Sequence, residues 1–151
     1  LLQDQGYSYD VLDAVLALDD DRIPHILMKV QALAKFKEDE GYADLMTGFE
    51  RVANLASKAD TEEVDPSAFG EADQIFANAL RDLQEKCQSL LGKEDYLGIL
   101  GALAEFRLPV DRFFTDVMIM DKDLKIRSNR LALLKQARDL YILCGDLRMI
   151  V

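Results

Sequence analysis

The chain has 151 residues, of which 50% are apolar and 30% charged, and its formal net charge is −10. This length suits one domain with one hydrophobic core, and the composition excludes the disordered classes that are rich in Pro, Gly or Ser. No apolar run approaches the roughly 20 residues that cross a bilayer, and the first residues show no secretory-signal pattern.

Hydrophobic residues recur with helical spacing almost throughout, and no stretch alternates with a period of two. The predicted helices are a short one ending near residue 18, one beginning after residue 21, and five more at about 42–57, 70–91, 94–106, 109–120 and 128–143. Ser8 or Asp10 can cap the first helix, and the acidic triplet 19–21 can cap the second. The sequence therefore predicts an all-α fold, an irregular bundle of about seven helices.

Local signals mark several helix ends and one loop. Pro24 and Pro109 each suit a first helical turn, where a missing N–H costs little. Gly92 is a natural stop for the fourth helix. The segment 59–70 is rich in Asp and Glu and predicts an exposed acidic loop. The residues of the sixth helix predicted to face the core are Val110, Phe113, Phe114, Val117 and Met118.

Catalytic residue types do not come together in any recognisable pattern. His25 is the only histidine, and its position at a helix start is typical of a surface or capping residue. Cys87 and Cys144 lie far apart within apolar arcs, as reduced core thiols do. Two cysteines and one histidine cannot supply the four ligands of a structural zinc site, and no Gly-rich phosphate loop is present. We therefore expect no catalytic and no metal site in this chain.

The negative charge is unevenly distributed. Residues 122–148 contain seven Lys or Arg and three Asp, a net charge of +4, so the rest of the chain carries −14. Nucleic-acid binders typically show a basic footprint because phosphate contacts supply much of their affinity. A basic strip on an acidic body is compatible with RNA binding. The acidic remainder favours a different function, a protein–protein docking module that meets a partner subunit through its acidic surface.

One candidate RNA-binding face lies on the third helix. Arg51, Asn54 and Lys58 stand at positions i, i+3 and i+7, opposite the apolar arc through Phe49 and Val52. Their guanidinium, amide and ammonium groups can contact phosphates or unpaired base edges. The same pattern also fits an ordinary solvated helix face.

A second candidate face lies on the last helix, where Arg127, Lys135 and Arg138 share a stripe that can contact phosphates. Asn129, near the start of this helix, is either an RNA contact or an N-cap. Arg130 is different, since it falls within the apolar arc, and a buried guanidinium needs a partner. We predict a structural ion pair between Arg130 and a carboxylate of the preceding helix, with the candidates Asp111 and Asp116.

The stretch from Leu108 to Leu134 reads LPVDRFFTDVMIMDKDLKIRSNRLALL. It resembles the C-terminal signature of the bacterial glycyl-tRNA synthetase beta subunit, in which Pro-Val-Asp-x-Phe-Phe-Asp-x-Val-Met-Val-Met precedes an acidic turn and Arg-x-Asn-Arg-Leu-x-Leu-Leu. Segments 9–15 and 49–55 are similar to the same family. Thr115 stands where the family usually has Asp, and residues 123–127 follow its acidic-Ala-Leu-Arg turn loosely.

This resemblance implies an anticodon-binding (DALR-like) domain, of the fold found in class I arginyl-tRNA synthetases. We expect one such domain over residues 1–151, as a fragment of a longer chain. The implied function is to bind the anticodon region of glycine tRNA and to position it for aminoacylation. The equivalent domain of an arginyl-tRNA synthetase is a related alternative.

The resemblance also implies a division of labour in the parent enzyme, a glycine–tRNA ligase. The alpha subunit carries the chemistry with ATP and glycine, so no cofactor and no catalytic residue are expected in this domain. The implied assembly contains two alpha and two beta subunits in the bacterial cytoplasm and has no membrane partner.

Overall fold

The computed structural model describes residues 6–18 and 23–150. Within these ranges the chain forms seven α-helices and no strand, which confirms the predicted all-α bundle. The helices are α1 (Tyr9–Leu16), α2 (Ile23–Phe36), α3 (Tyr42–Ala56), α4 (Glu71–Gly92), α5 (Tyr96–Glu105), α6 (Arg107–Asp116) and α7 (Leu124–Tyr141), with short 3-10 turns at Pro66–Ala68 and Leu147–Met149. The predicted cap at 19–21 lies outside the described residues. Among the described helices, none combines the length and apolar character that crossing a bilayer requires.

The core is organised around α3 and α5. Helix α3 packs on α5, α6 and α7, while α5 also packs on α2 and α4. Phe76 of α4 stacks on Phe113 of α6, with ring centroids 4.3 Å apart and planes within 8° of parallel. Phe49 of α3 also contacts Tyr141 of α7, with ring centroids 5.9 Å apart. Such aromatic pairs stabilise a fold by about 0.5–1.5 kcal/mol beyond their buried area.

Helices α3 and α7 approach each other closely at Gly48. A Cβ atom built there would lie 2.6 Å from the hydroxyl oxygen of Tyr141, well inside van der Waals contact. Tyr141 is completely buried. Burial raises the pKa of its hydroxyl well above the usual value, and the negative charge of Asp111 adds to the effect. Glycine at position 48 is therefore a requirement of the α3–α7 packing.

Helix α6 differs from the prediction at both ends. It begins at Arg107, so Pro109 is the third residue of the first turn and not the first. It ends at Asp116, and Val117 is extended, with φ −134° and ψ 156°. Because the chain leaves the helix here, Ile119 fills the core at 5% exposure, whereas Met118 is 70% exposed. The prediction that Met118 faces the core is therefore wrong.

Helix α7 begins earlier than predicted. Its N-cap is Asp123, whose side chain accepts hydrogen bonds from the N–H groups of Lys125 and Ile126, at 2.9 and 3.2 Å. A carboxylate at this position also interacts favourably with the helix dipole. The start predicted near residue 128 is wrong, and Asn129 lies inside the helix, so it is not the cap.

Candidate nucleic-acid interface

Of the three polar residues predicted on the third helix, Arg51 and Asn54 lie on the surface of α3, whereas Lys58 lies just beyond its end. Arg51, Asn54 and Lys58 are all exposed, while Val52 and Ala56 on the opposite face are buried. We call these three residues the α3 stripe. Lys58 follows the C-cap of α3, and its N–H donates to a carbonyl of the last turn. The stripe therefore presents a guanidinium, an amide and an ammonium group along the last turns of α3 and just beyond its end.

Arg51 is attached to the rest of the domain through a small network of charges. Its Nε lies 3.5 Å from Asp111 Oδ1 on α6, and its side chain is 47% exposed. Asp111 Oδ2 in turn accepts a hydrogen bond from Arg107 Nε at 3.2 Å, and Arg107 Nη1 donates to Asp44 at 2.6 Å. The hydrogen bond to Asp44 raises the pKa of Arg107, partial burial opposes this increase, and the bond to Asp111 adds a smaller increase. Within the described residues no hydrogen bond uses the terminal amino groups of Arg51, so these groups can bind a phosphate.

The residues predicted as the α7 stripe are Arg127, Lys135 and Arg138, and each is half-buried. Arg127 and Arg138 share a helix face with the buried residues Leu131 and Leu134, which lie between them at helical spacing. The two arginines therefore stand at opposite ends of a packed face. RNA contact by the three residues stays a prediction.

Acidic side chains accompany the α7 cations. Arg138 Nη2 lies 3.6 Å from Asp139 Oδ1, its neighbour in sequence. A hydrogen bond with Asp139 and repulsion from its charge raise the pKa of Glu62, while Lys135 and Arg138 act in the opposite direction. Cations and carboxylates thus alternate at this end of α7, and the local field is weaker than the sequence run of Lys and Arg suggests.

The acidic loop, residues 59–70, is fastened to α7. Asn129 Oδ1 accepts the N–H of Asp65 at 2.8 Å, and Asn129 Nδ2 donates to the carbonyl of Asp65 at 2.9 Å. About two turns further along α7, Gln136 Nε2 donates to the carbonyl of Glu62 at 2.6 Å. Asn129 is only 5% exposed. Its amide serves the loop, which corrects its assignment as a surface RNA contact.

A salt bridge adds to this attachment. Lys125 Nζ lies 2.6 Å from Asp65 Oδ2. The pKa of Asp65 is lowered to about 2, first by Lys125 and then by the hydroxyl and N–H of Ser67. In the sequence, Asp65, Pro66 and Ser67 indicate a turn. The sequence does not indicate that Asp65 pairs with Lys125, because Lys125 is 60 positions away in the chain.

Arg130 is a structural residue with partners other than those predicted. Its Nε donates to Asp73 Oδ1 at 2.9 Å, and its Nη1 donates to the carbonyl of Met118 at 2.8 Å. The second carboxylate oxygen of Asp73 accepts the N–H of Gly70 at 2.9 Å and so caps α4. A weaker contact joins Arg130 to Asp121 at 3.5 Å.

The predicted pairing of Arg130 with Asp111 or Asp116 is therefore wrong. Asp111 contacts Arg51 and Arg107, and Asp116 contacts Arg112 at 3.5 Å. Asp73 lies on α4, and two helices, α5 and α6, separate α4 from α7 in the chain. The order of the helices therefore gives no indication that Asp73 pairs with Arg130.

The side chains that commonly act in catalysis are paired with other residues, buried, or far apart from one another. His25 Nε2 lies 3.0 Å from Glu94 Oε1 at the surface. Both cysteines are buried, and burial raises the pKa of Cys144 to about 12, so its thiol stays protonated. In the part of the chain that the structure describes, no three His, Cys, Asp or Glu side chains are arranged to hold a metal ion.

The chain is similar in sequence to known proteins. Residues 45–145 match the DALR anticodon binding domain. Over its whole length the chain is 37% identical to part of the glycine–tRNA ligase beta subunit of Moorella thermoacetica. It is similarly 37% identical to that of Clostridioides difficile and 38% to that of Desulforamulus reducens. The chain spans 22% of the length of each of these relatives.

Proposed function

Because the chain belongs to the family of DALR anticodon-binding domains, we propose that it binds the anticodon region of a transfer RNA. The names of its relatives favour glycine tRNA as the ligand and a glycine–tRNA ligase beta subunit as the host. In this proposal the alpha subunit performs the chemistry with ATP and glycine in the bacterial cytoplasm, and this domain holds the RNA. Binding energy gained at the anticodon end then positions the acceptor end at a distant active site.

The α3 stripe is the observation that carries the proposal. Arg51 offers a planar fork of donors that matches phosphate oxygens, and Lys58 offers a mobile point charge. Asn54 can donate to and accept from the edge of an unpaired base. The three residues lie inside the region that matches the anticodon-binding family. By contrast, Lys135 and Arg138 of α7 lie close to Glu62 of the acidic loop, so we assign phosphate binding chiefly to Arg51 and its neighbours on α3.

A separate groove favours a second candidate function, docking to a protein partner. The groove lies between the end of α2, the start of α3 and α5, and the apolar residues of its lining are Phe36, Leu97 and Ala104. The carboxylates on its walls are Asp39, Glu40, Asp44 and Glu105. Such a groove suits a basic segment of another protein or domain, and it repels RNA. The two functions use different surfaces, and one chain can carry both.

The test is titration of glycine tRNA against the full-length beta subunit at several salt concentrations. Arg51→Met and Lys58→Met are each expected to weaken binding and to reduce the slope of log K against log salt by about 0.7, the value for one lost contact to a single-stranded phosphate. Lys86→Met, an exposed change on α4, is the matched control and is expected to leave both quantities unchanged.

Two results contradict the proposal. One is an affinity that does not respond to salt or to the two α3 variants. The other is normal tRNA binding by a beta subunit that lacks this domain, which would move the docking function to first place.

A further inference from the structure

A pocket lies on the side of α3 that faces the C-terminal 3-10 turn. It has a volume of about 410 Å³, within the range of small-ligand sites. Phe49 and Ala53 of α3 and Ile150 form its apolar part. Glu50 and Arg148 contribute charged groups of opposite sign to its lining. We call this the C-terminal pocket.

One carboxylate accepts three hydrogen bonds from Arg148, whose side chain is 75% exposed. Asp146 Oδ1 accepts from the backbone N–H and the Nε of Arg148 at 3.1 and 3.0 Å, and Asp146 Oδ2 accepts from Nη2 at 2.7 Å. Asp146 is 8% exposed, and its own N–H donates to the carbonyl of Ala14 at 2.8 Å. The pKa of Asp146 is lowered chiefly by its bond to Arg148. Asp146 therefore binds the Nε and Nη2 of the guanidinium, and no hydrogen bond within the described ranges uses Nη1.

The polar lining has a defined pattern of donors and acceptors. Glu50 can only accept hydrogen bonds when it is ionised, Arg148 can only donate, and Asn54 can do both. A ligand that fits this lining needs apolar faces and an edge carrying at least one N–H donor for Glu50 and one acceptor for Arg148. An unstacked nucleobase with an exocyclic amine carries both groups side by side, whereas the single N–H of uracil lies between two carbonyl oxygens, one of which would lie against the carboxylate.

The location of the pocket agrees with such an occupant. Asn54 belongs both to the pocket and to the α3 stripe, and Lys58 lies four residues further along, just beyond the end of the helix. An RNA strand whose phosphates contact Arg51 and Lys58 can therefore turn one base across Asn54 into the pocket. Single-stranded RNA is commonly recognised through bases that leave the stack in this way.

We propose that the C-terminal pocket receives one unstacked, amine-bearing nucleobase of the bound RNA, read by Glu50 and Arg148. The inference rests on the proposed tRNA-binding function and adds a base-reading site to it. Arg148 and Ile150 lie beyond the residues 45–145 that match the anticodon-binding family, so the family match does not assign this site.

The experiment uses the full-length beta subunit and glycine tRNAs in which the cytosines of the anticodon loop are changed to uracil one at a time. For one of these RNAs the unmodified protein is expected to lose about tenfold or more in affinity, as for a hydrogen bond to a charged group. In Glu50→Gln the same base change is expected to cost less than about threefold, because the glutamine amide can also donate to the uracil carbonyl. Glu85→Gln, an exposed change on α4, is the matched control and keeps the full tenfold loss.

Arg148 supplies an independent readout. Arg148→Met is expected to weaken binding of the unchanged tRNA about tenfold, while the salt slope falls by less than the 0.7 that accompanies the loss of a phosphate contact. An unchanged tenfold cost in Glu50→Gln overturns the inference, as does an equal reduction in Glu85→Gln. In either case salt-dependent binding through Arg51 leaves the proposed function standing. Loss of all salt-dependent tRNA binding by the unmodified protein would overturn both.

Discussion

The ion pair between Arg130 and Asp73 gives the sharpest test of how the helices are held together. The two side chains are 12% and 3% exposed, so the pair is almost fully withdrawn from water. Removing one member of a buried pair leaves an uncompensated charge and costs about 3–5 kcal/mol. For Arg130→Leu we expect about 3 kcal/mol, the lower end of that range, because Asp73 keeps its bond to the N–H of Gly70.

The reverse change, Asp73→Ala, should cost slightly more. Arg130 keeps the Met118 carbonyl and the half-exposed Asp121 as partners, but α4 also loses its cap, which adds about 1 kcal/mol. The double variant leaves no unpaired charge, so its cost should fall short of the sum of the single costs by about 2–3 kcal/mol. For a domain of this size, 3 kcal/mol lowers the midpoint of thermal unfolding by about 6–12 °C.

The measurement is urea or thermal unfolding of the two single variants, the double variant and Arg112→Leu. Arg112 pairs with Asp116 at 3.5 Å, but its side chain is 63% exposed, so its loss should cost less than about 0.5 kcal/mol. Single costs below about 1 kcal/mol, or costs that simply add in the double variant, would refute the reasoning. Loss of tRNA binding by a fully stable Arg130→Leu protein would show that Arg130 contacts RNA.

Two further predictions concern packing and pH. Gly48→Ala should destabilise the fold by about 1–3 kcal/mol because the new methyl meets the Tyr141 hydroxyl. Gly101→Ala on α5, where the space is open, should stabilise the fold by about 0.5–1 kcal/mol. Unfolding in urea measures both free energies, and equal effects of the two substitutions would contradict the prediction. Asp65 has a folded pKa of about 2, below its ordinary value of 3.8, so its salt bridge stabilises the fold above about pH 4 and this contribution is lost as the pH falls from about 4 to 2. In acid titrations followed by circular dichroism, Lys125→Met should show a smaller loss of stability over that window, and an unchanged acid profile would exclude the role of Lys125.

The presence of helices and the faces that they turn towards the core were predictable, because the spacing of apolar residues indicates both directly. The end of α6 was not. Val117, Met118, Ile119 and Met120 form a continuous apolar run, and such a run contains no signal for the residue at which the chain leaves the helix. The choice of Ile119 over Met118 as the core residue depends on the extended backbone at Val117, which tertiary packing imposes.

The candidate site likewise contains some features that the sequence predicts and others that it does not. The α3 stripe follows from local spacing on a single helix, and the structure places it on the surface. The roles of Asn129 and Arg130 depend on Asp65 and Asp73, which lie 64 and 57 positions away in sequence. Side-chain chemistry shows that a buried guanidinium or amide needs a partner, but only the folded chain shows which partner is within reach.

The attachment of the acidic loop to α7 restricts the angles from which a polyanion can approach the domain. Asn129 binds both backbone groups of Asp65, so the loop cannot swing aside without breaking two hydrogen bonds. Its carboxylates repel nucleic acid only at short range, since charges are screened over about 8 Å at physiological ionic strength. A stiff duplex lying across α7 would enter that range along much of its length, whereas a tightly bent loop centred on Arg51 approaches these carboxylates chiefly at Lys58, which directly precedes the acidic loop. Because the carboxylates disfavour an extended duplex, the domain can distinguish a bent RNA loop from a straight duplex. Lowering the ionic strength should sharpen that discrimination while it raises the affinity for RNA.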